Sequence, residues 1–169
     1  MQSVSCYENF AESNDSDILE VIEKTSEAVQ NQKENMKNNL EKHKNCLHRF
    51  DAHMEKAKGY FYKDYVNIHF IEELGFSSKI EAGIQEYAIG RKPYEDLIGS
   101  FQELVEKSTD TESVLEYYIF HLPLLRSMIQ ELNKASADFG VMGNRIFQEF
   151  HEYYVKVEEA IAEMLDSDW

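Results

Sequence analysis

Ile22, Val29, Met36, His43, Phe50 and Ala57 recur at intervals of seven along the first part of the chain, with Thr25, Gln32, Asn39 and Cys46 between them. A seven-residue repeat with two inward positions is the spacing of a helix that pairs along a narrow seam. The second set is polar in its N-terminal half, so that half makes a weak coil by itself. Beyond it, Leu47, Met54, Phe61 and Ile68 add another sevenfold row beside Phe50 and Ala57. The apolar stripe there is broad enough for a helix packed in a bundle. The pattern predicts one long helix over 17–74, capped by Asp17 with Glu20 as its reciprocal partner. Residues 17 to about 45 are expected to project or to bind something, and residues 46–74 to join a core. If straight, ~58 helical residues span roughly 85–90 Å; Gly59 is the one place within it where a bend is expected.

Gly75 suits the left-handed residue that ends a helix, and Ser77 or Ser78 can cap the next one. An interrupted helix is expected over 79–105, broken at Gly90-Arg91-Lys92-Pro93. Its later stripe is Tyr94, Leu97, Ile98, Phe101, Leu104 and Val105. The turn 108–112 leads to a helix over 111–137 that Pro123 should kink. The stretch 139–143, with Gly140 and Gly143, reads either as a break or as a closely packed helical segment. A last helix covers 141–166 through Ile146, Phe150, Tyr153, Tyr154, Val157, Ile161 and Leu165. The expected fold is therefore all-α: a long, coiled-coil-like N-terminal helix leading into an antiparallel helical bundle. Residues 1–16 read as a polar, disordered tail and 17–169 as a single helical domain.

Composition narrows the picture. Two prolines and seven glycines in 169 residues leave few turns, and little period-two alternation is present to build a sheet. Ten Tyr and ten Phe, concentrated after Phe50, can fill a real core. Adjacent pairs such as Tyr117-Tyr118 and Tyr153-Tyr154 cannot both point inward, because neighbours on a helix are about 100° apart. Some tyrosines are therefore expected at a boundary or an interface.

The formal net charge is −15, from 32 acidic and 17 basic residues. Such a surface repels phosphate backbones and anionic lipid, so nucleic acid is not expected as a partner and direct lipid binding is not expected either. The apolar stretch Tyr117 to Leu125 is too short to span a membrane and contains Pro123. The start of the chain lacks the basic residues and apolar run of a secretion signal, and Cys6 and Cys46 make no disulfide framework. A soluble, intracellular, cytoplasmic protein is the expectation.

Chemistry has few footholds. No Glu-x-x-His occurs, which a ferritin-like metal bundle requires. His69 and Glu73 lack a paired histidine motif on the following helix. His43, His48 and His53, five apart, do not share a helix face. Cys46 beside His43 and His48 lacks the orienting group and oxyanion hole of a thiol enzyme. No phosphate-binding Gly-rich loop, Gly-x-Ser-x-Gly or Cys-x-x-Cys is present. No catalytic residue, metal or cofactor is assigned.

The expectation is a non-enzymatic interaction module: a subunit, adaptor or scaffold that pairs with a protein partner, or with itself, through its long helix. Ile22, Val29, Gln32, Met36, Asn39 and His43 are the candidate seam residues, with Tyr117 and Tyr154 as candidate contacts elsewhere. Gln32 and Asn39 would set register and partner choice. Two alternatives differ in kind. One is a membrane-curvature module, loosely similar to BAR-type helical dimers in shape and helix order only. The other is an acidic inhibitor or immunity-type protein for a basic partner.

Overall fold

From Ile18 to Phe61 the chain has no proline, and Gly59 is its one glycine, near the end; nothing interrupts the helical hydrogen bonds, and the segment forms one 44-residue helix, α1. The computed structural model describes the backbone of residues 18–167 and the side chains of residues 24–167. The expected tail 1–16 and the Asp17–Glu20 cap fall outside the described residues. After α1 come α2 (Tyr65–Glu73), α3 (Ser77–Asp110), the single turn α4 (Val114–Glu116), a π-helical turn at Tyr117–His121 and α5 (Leu122–Ser167). No strand occurs among the described residues. None of their helices is long and apolar enough to cross a membrane.

The fold is an all-α helical bundle, and its long helices carry buried positions spaced alternately by three and four. On α1 these are Val29, Gln32, Met36, Asn39, His43 and Cys46, then Met54, Ala57 and Phe61. On α5 they are Leu122, Leu125, Ile129, Leu132, Ser136 and Phe139, then Ile146, Phe150 and Val157. An average of 3.5 residues keeps each stripe facing its neighbours over many turns.

The contacts form two compact units. Among the described residues, one comprises those up to Asn45 together with 94–137, the other 46–93 together with those from Asp138 on, so α1, α3 and α5 each contribute to both. In the first unit α1 runs antiparallel to α3: His43 meets Tyr94, while Lys33 meets Thr109 and Thr111. In the second, Asp51 meets Tyr87 and Arg91, and Tyr62 meets Glu81, again antiparallel. There α5 runs parallel to α1, with Phe50 against Phe139 and Phe61 against Phe150. The second core mixes Phe61, Phe76, Tyr87, Phe139 and Phe150 with aliphatic residues such as Ile71, Ile80 and Ile146, and Phe76 stacks on Tyr153 at 4.6 Å.

Three boundaries differ from expectation. The helix expected to reach Leu74 stops at Phe61 and restarts at Tyr65, because the Asp64 carboxylate accepts the Asn67 backbone N–H at 2.9 Å and caps a new helix. The Asn67 side chain, buried, donates to the freed Tyr60 carbonyl at 3.0 Å. The break expected at 90–93 is absent: α3 continues through Pro93, held on one side by the Arg91–Asp51 ion pair at 2.7 Å and on the other by the buried ring of Tyr94. Burial raises the Asp51 pKa, but hydrogen bonds from Arg91 and Tyr87 outweigh it and hold the carboxyl below its usual range. Near Pro123, where a kink is expected, the irregularity is a π-helical turn at Tyr117–His121, and α5 runs on through Pro123. Stretches of 139–143 remain helical, the closely packed alternative. Gly75 does end its segment, with φ +74.

Packing fixes the role of two glycines. A Cβ on Gly83 would lie 2.7 Å from the ring of Phe150, which is itself buried, whereas one on Gly59 would meet nothing within 4 Å. Gly59→Ala should therefore stabilise the protein by about 0.5–1 kcal/mol, the helix-propensity gain alone. Gly83→Ala should destabilise it by about 1–2 kcal/mol, because overpacking outweighs that gain. Urea unfolding followed by circular dichroism measures both; a stabilised Gly83→Ala protein would contradict this packing.

Candidate interaction surface

The expected seam of α1 is buried, and the chain itself covers it. Val29, Met36, Gln32, Asn39 and His43 are each almost inaccessible within the first unit. Residues 17 to about 45 are expected to project or to bind something; over the described residues of that stretch α1 does not project, and α3 and α5 cover its inward face. Ile22 lies on α1, but its side chain is outside the described residues. Tyr117 is fully buried. Tyr154 is half-buried against Tyr60 and Phe61, at 4.3 and 4.5 Å between ring centroids, and burial pushes its hydroxyl up to about 12. Val29, Gln32, Met36, Asn39 and His43 face inward, toward this chain, and Tyr117, expected as a contact elsewhere, lies in the core.

The seam is unusually polar inside. His43 Nδ1 lies 2.6 Å from the Tyr94 hydroxyl, with the rings edge-on at 5.6 Å. Asn133 on α5 also hydrogen-bonds His43. Asn39 donates from Nδ2 to the Asn35 carbonyl at 3.0 Å. Gln32 is different: both atoms of its amide are buried with no hydrogen-bond partner among the described residues. Its neighbour Lys33 reaches the end of α3, donating to the carbonyls of Thr111 at 2.6 Å and Thr109 at 3.4 Å. A cation at the carbonyl end of a helix answers both its free acceptors and its dipole. Burial nevertheless lowers the Lys33 pKa. Nothing in the sequence distinguished Lys33 from its exposed neighbours.

His121 joins the end of α3 to the π-helical turn. Its Nδ1 lies 3.2 Å from Ser108 Oγ and its Nε2 lies 2.9 Å from Thr111 Oγ1. The Ser108 hydroxyl is buried and donates to the Leu104 carbonyl at 2.7 Å. A hydroxyl so engaged is a structural tie rather than a poised nucleophile. Cys46 is likewise buried. Among the described residues no group of three or more His, Cys, Asp or Glu side chains is arranged to hold a metal ion.

Large apolar side chains are exposed at Tyr65, Ile89 and Val141, and as a close run on and beside the π-helical turn. Leu115, Ile119, Phe120 and Leu124 are 68%, 53%, 64% and 56% exposed. Their spacing by four and five falls on one side of a segment with i→i+5 turns, while Tyr117, Leu122 and Leu125 of the same run are buried. Glu112 and Glu116, both exposed, lie beside these residues in sequence. The sequence signal was the density of the run 117–125: it is apolar on too many sides for a helix to bury all of it.

The polar seam generates two predictions. An amide with no partner costs about 1–3 kcal/mol, so Gln32→Met, which keeps the length and removes the polar atoms, should stabilise the protein by about 1–2 kcal/mol in urea unfolding at pH 7.5. Burial lowers the His43 pKa more than its hydrogen bond to Asn133 raises it, and Lys42 lowers it further. The unfolded chain, with His near 6.5, then takes up a proton that the folded chain resists. Stability from this group is complete above about pH 6.5 and should fall at lower pH by up to about 1.4 kcal/mol per pH unit. The difference between wild type and His43→Gln in unfolding free energy at pH 7.5 and 5.5 isolates it; an unchanged difference would refute it.

No protein-family model, no curated protein and no solved structure matches this chain.

Proposed function

We propose that this chain is a non-enzymatic interaction protein, a subunit, adaptor or scaffold of a larger assembly, and that its partner docks on the patch formed by Leu115, Ile119, Phe120 and Leu124. One observation carries the reading: four large apolar side chains more than half exposed within ten residues, in a chain of net charge −15. Contiguous apolar exposure on a soluble surface marks a site of association. Pairing through the α1 seam is set aside, since its side chains are already covered. The π-helical turn supports the choice of place, because such turns are costly irregularities that recur at functional positions.

Acidic neighbours select the partner's chemistry. Glu112 and Glu116, beside these residues in sequence, favour an amphipathic helix whose apolar face is flanked by lysine or arginine. Burying Phe120 and Leu124 on such a partner contributes about 1.5–3 kcal/mol each.

The test compares the wild-type chain with the double variant Phe120→Ser, Leu124→Ser in affinity purification with mass spectrometry. A protein partner held by the wild type should be lost, or bound at least about tenfold more weakly, by the variant. Charge reversal at Glu112 and Glu116 should weaken it further at low salt than at high salt. Circular dichroism should show the same fold, because the altered side chains are exposed. Equal recovery by both proteins would exclude this surface; a wild-type dimer abolished by the variant would make the occupant a second copy instead, and retention on anionic vesicles would make it a membrane.

A further inference from the structure

A groove in the second unit carries an inference independent of that reading. Arg49, Phe50 and His53 on α1 face Asn144, Phe147 and Gln148 on α5 across an open cleft of about 630 Å³. That volume lies within the range of about 300–1,000 Å³ usual for small-molecule sites. The spacing explains the convergence: Arg49 and His53 are one turn apart on one helix, and Asn144, Phe147 and Gln148 are one turn apart on the other. The floor is built by close approach. A Cβ on Gly143 would lie 2.8 Å from the ring of Phe50, so only glycine there lets that ring lie down between the helices. Phe50 then stacks on Phe147 at 5.9 Å and 27°, and His53 lies 4.3 Å from Phe147.

The polar groups at the rim are uncommitted. The side chains of Arg49, Asn144 and Gln148 have no hydrogen-bond or ion-pair partner among the described residues, although acids outnumber bases by 32 to 17 in this chain. Nearby Arg91 and Arg145 are by contrast paired with Asp51 and with Glu86 and Glu149. An unpaired guanidinium, two amides and a half-exposed aromatic floor are complementary to one kind of ligand. The rings offer a face for offset stacking, the guanidinium offers two parallel donors to a carboxylate, and the amides can satisfy polar substituents on the ring.

We propose that this groove is a binding site for a planar aromatic carboxylate, stacked on Phe147 and His53 with its acid group on Arg49. The same chemistry is found in a free aromatic acid and in a peptide ending in an aromatic residue with a free carboxylate.

Isothermal titration calorimetry of the full chain tests it with naphthoate, uncharged naphthamide, acetate, and a tripeptide ending in a free tryptophan carboxylate. Amide chemical-shift mapping locates the site. Naphthoate should bind one-to-one, with shifts centred on residues 49–53 and 144–148, and acetate should not bind measurably. Arg49→Gln should weaken naphthoate about tenfold and leave naphthamide unchanged, whereas Phe147→Ser should weaken both. Tripeptide binding tighter than naphthoate would identify a peptide end as the source and still support the site. Failure of both acids to saturate, shifts centred on Leu115–Leu124, or equal loss of naphthoate and naphthamide with Arg49→Gln would overturn it.

Discussion

A long helix with a narrow inward stripe is stable only where other helices cover that stripe, and this requirement organises the whole chain. Along α1 the inward positions are spaced by three and four from Val29 to Cys46 and again from Met54 to Phe61. α3 and α5 carry the same spacing, so each presents a continuous face rather than a local patch. Antiparallel α3 and parallel α5 then cover α1 in both compact units. The capped break at Asp64 and the left-handed Gly75 let the chain reverse into α3.

The two cores solve the same problem with different chemistry. The second unit fills its interior with Phe50, Phe61, Phe139 and Phe150 and brings backbones close where glycine leaves room. The first retains Gln32, Asn39 and His43 on α1. Asn39 and His43 are hydrogen-bonded, but the Gln32 amide is not. Polar groups inside lower stability, yet they discriminate against alternative registers in which they would be stranded. A residue read from sequence as choosing an external partner can thus choose the register of the chain's own helices.

The run from Tyr117 to Leu125 ties the fold to the proposed docking surface. Its apolar residues are too many for one helix face, and Pro123 removes a backbone donor. The π-helical turn resolves the conflict by sinking Tyr117, Leu122 and Leu125 into the core and leaving Leu115, Ile119, Phe120 and Leu124 outside. The proposed docking surface is therefore a consequence of how the chain turns into its last helix. The groove on the second unit has another origin, since it exists because Gly143 admits the Phe50 ring.

The sequence by itself determined that the fold is all-α, that α1 is long, that Gly75 ends a segment, and which side of each helix is buried. These follow from local hydrogen bonding and from spacing, which need no knowledge of neighbours. Only the tertiary structure decided what covers α1: a seam reads alike whether its partner is another molecule or residues later in the same chain, as Tyr94 and Asn133 are for His43. It also decided that Pro93 would be tolerated, because Asp51 holds Arg91 from a different helix. The exposed patch and the unpaired Arg49 were present in the sequence as letters. Their exposure depends on which of several apolar or charged residues the packing consumes, and that is settled only when the helices meet.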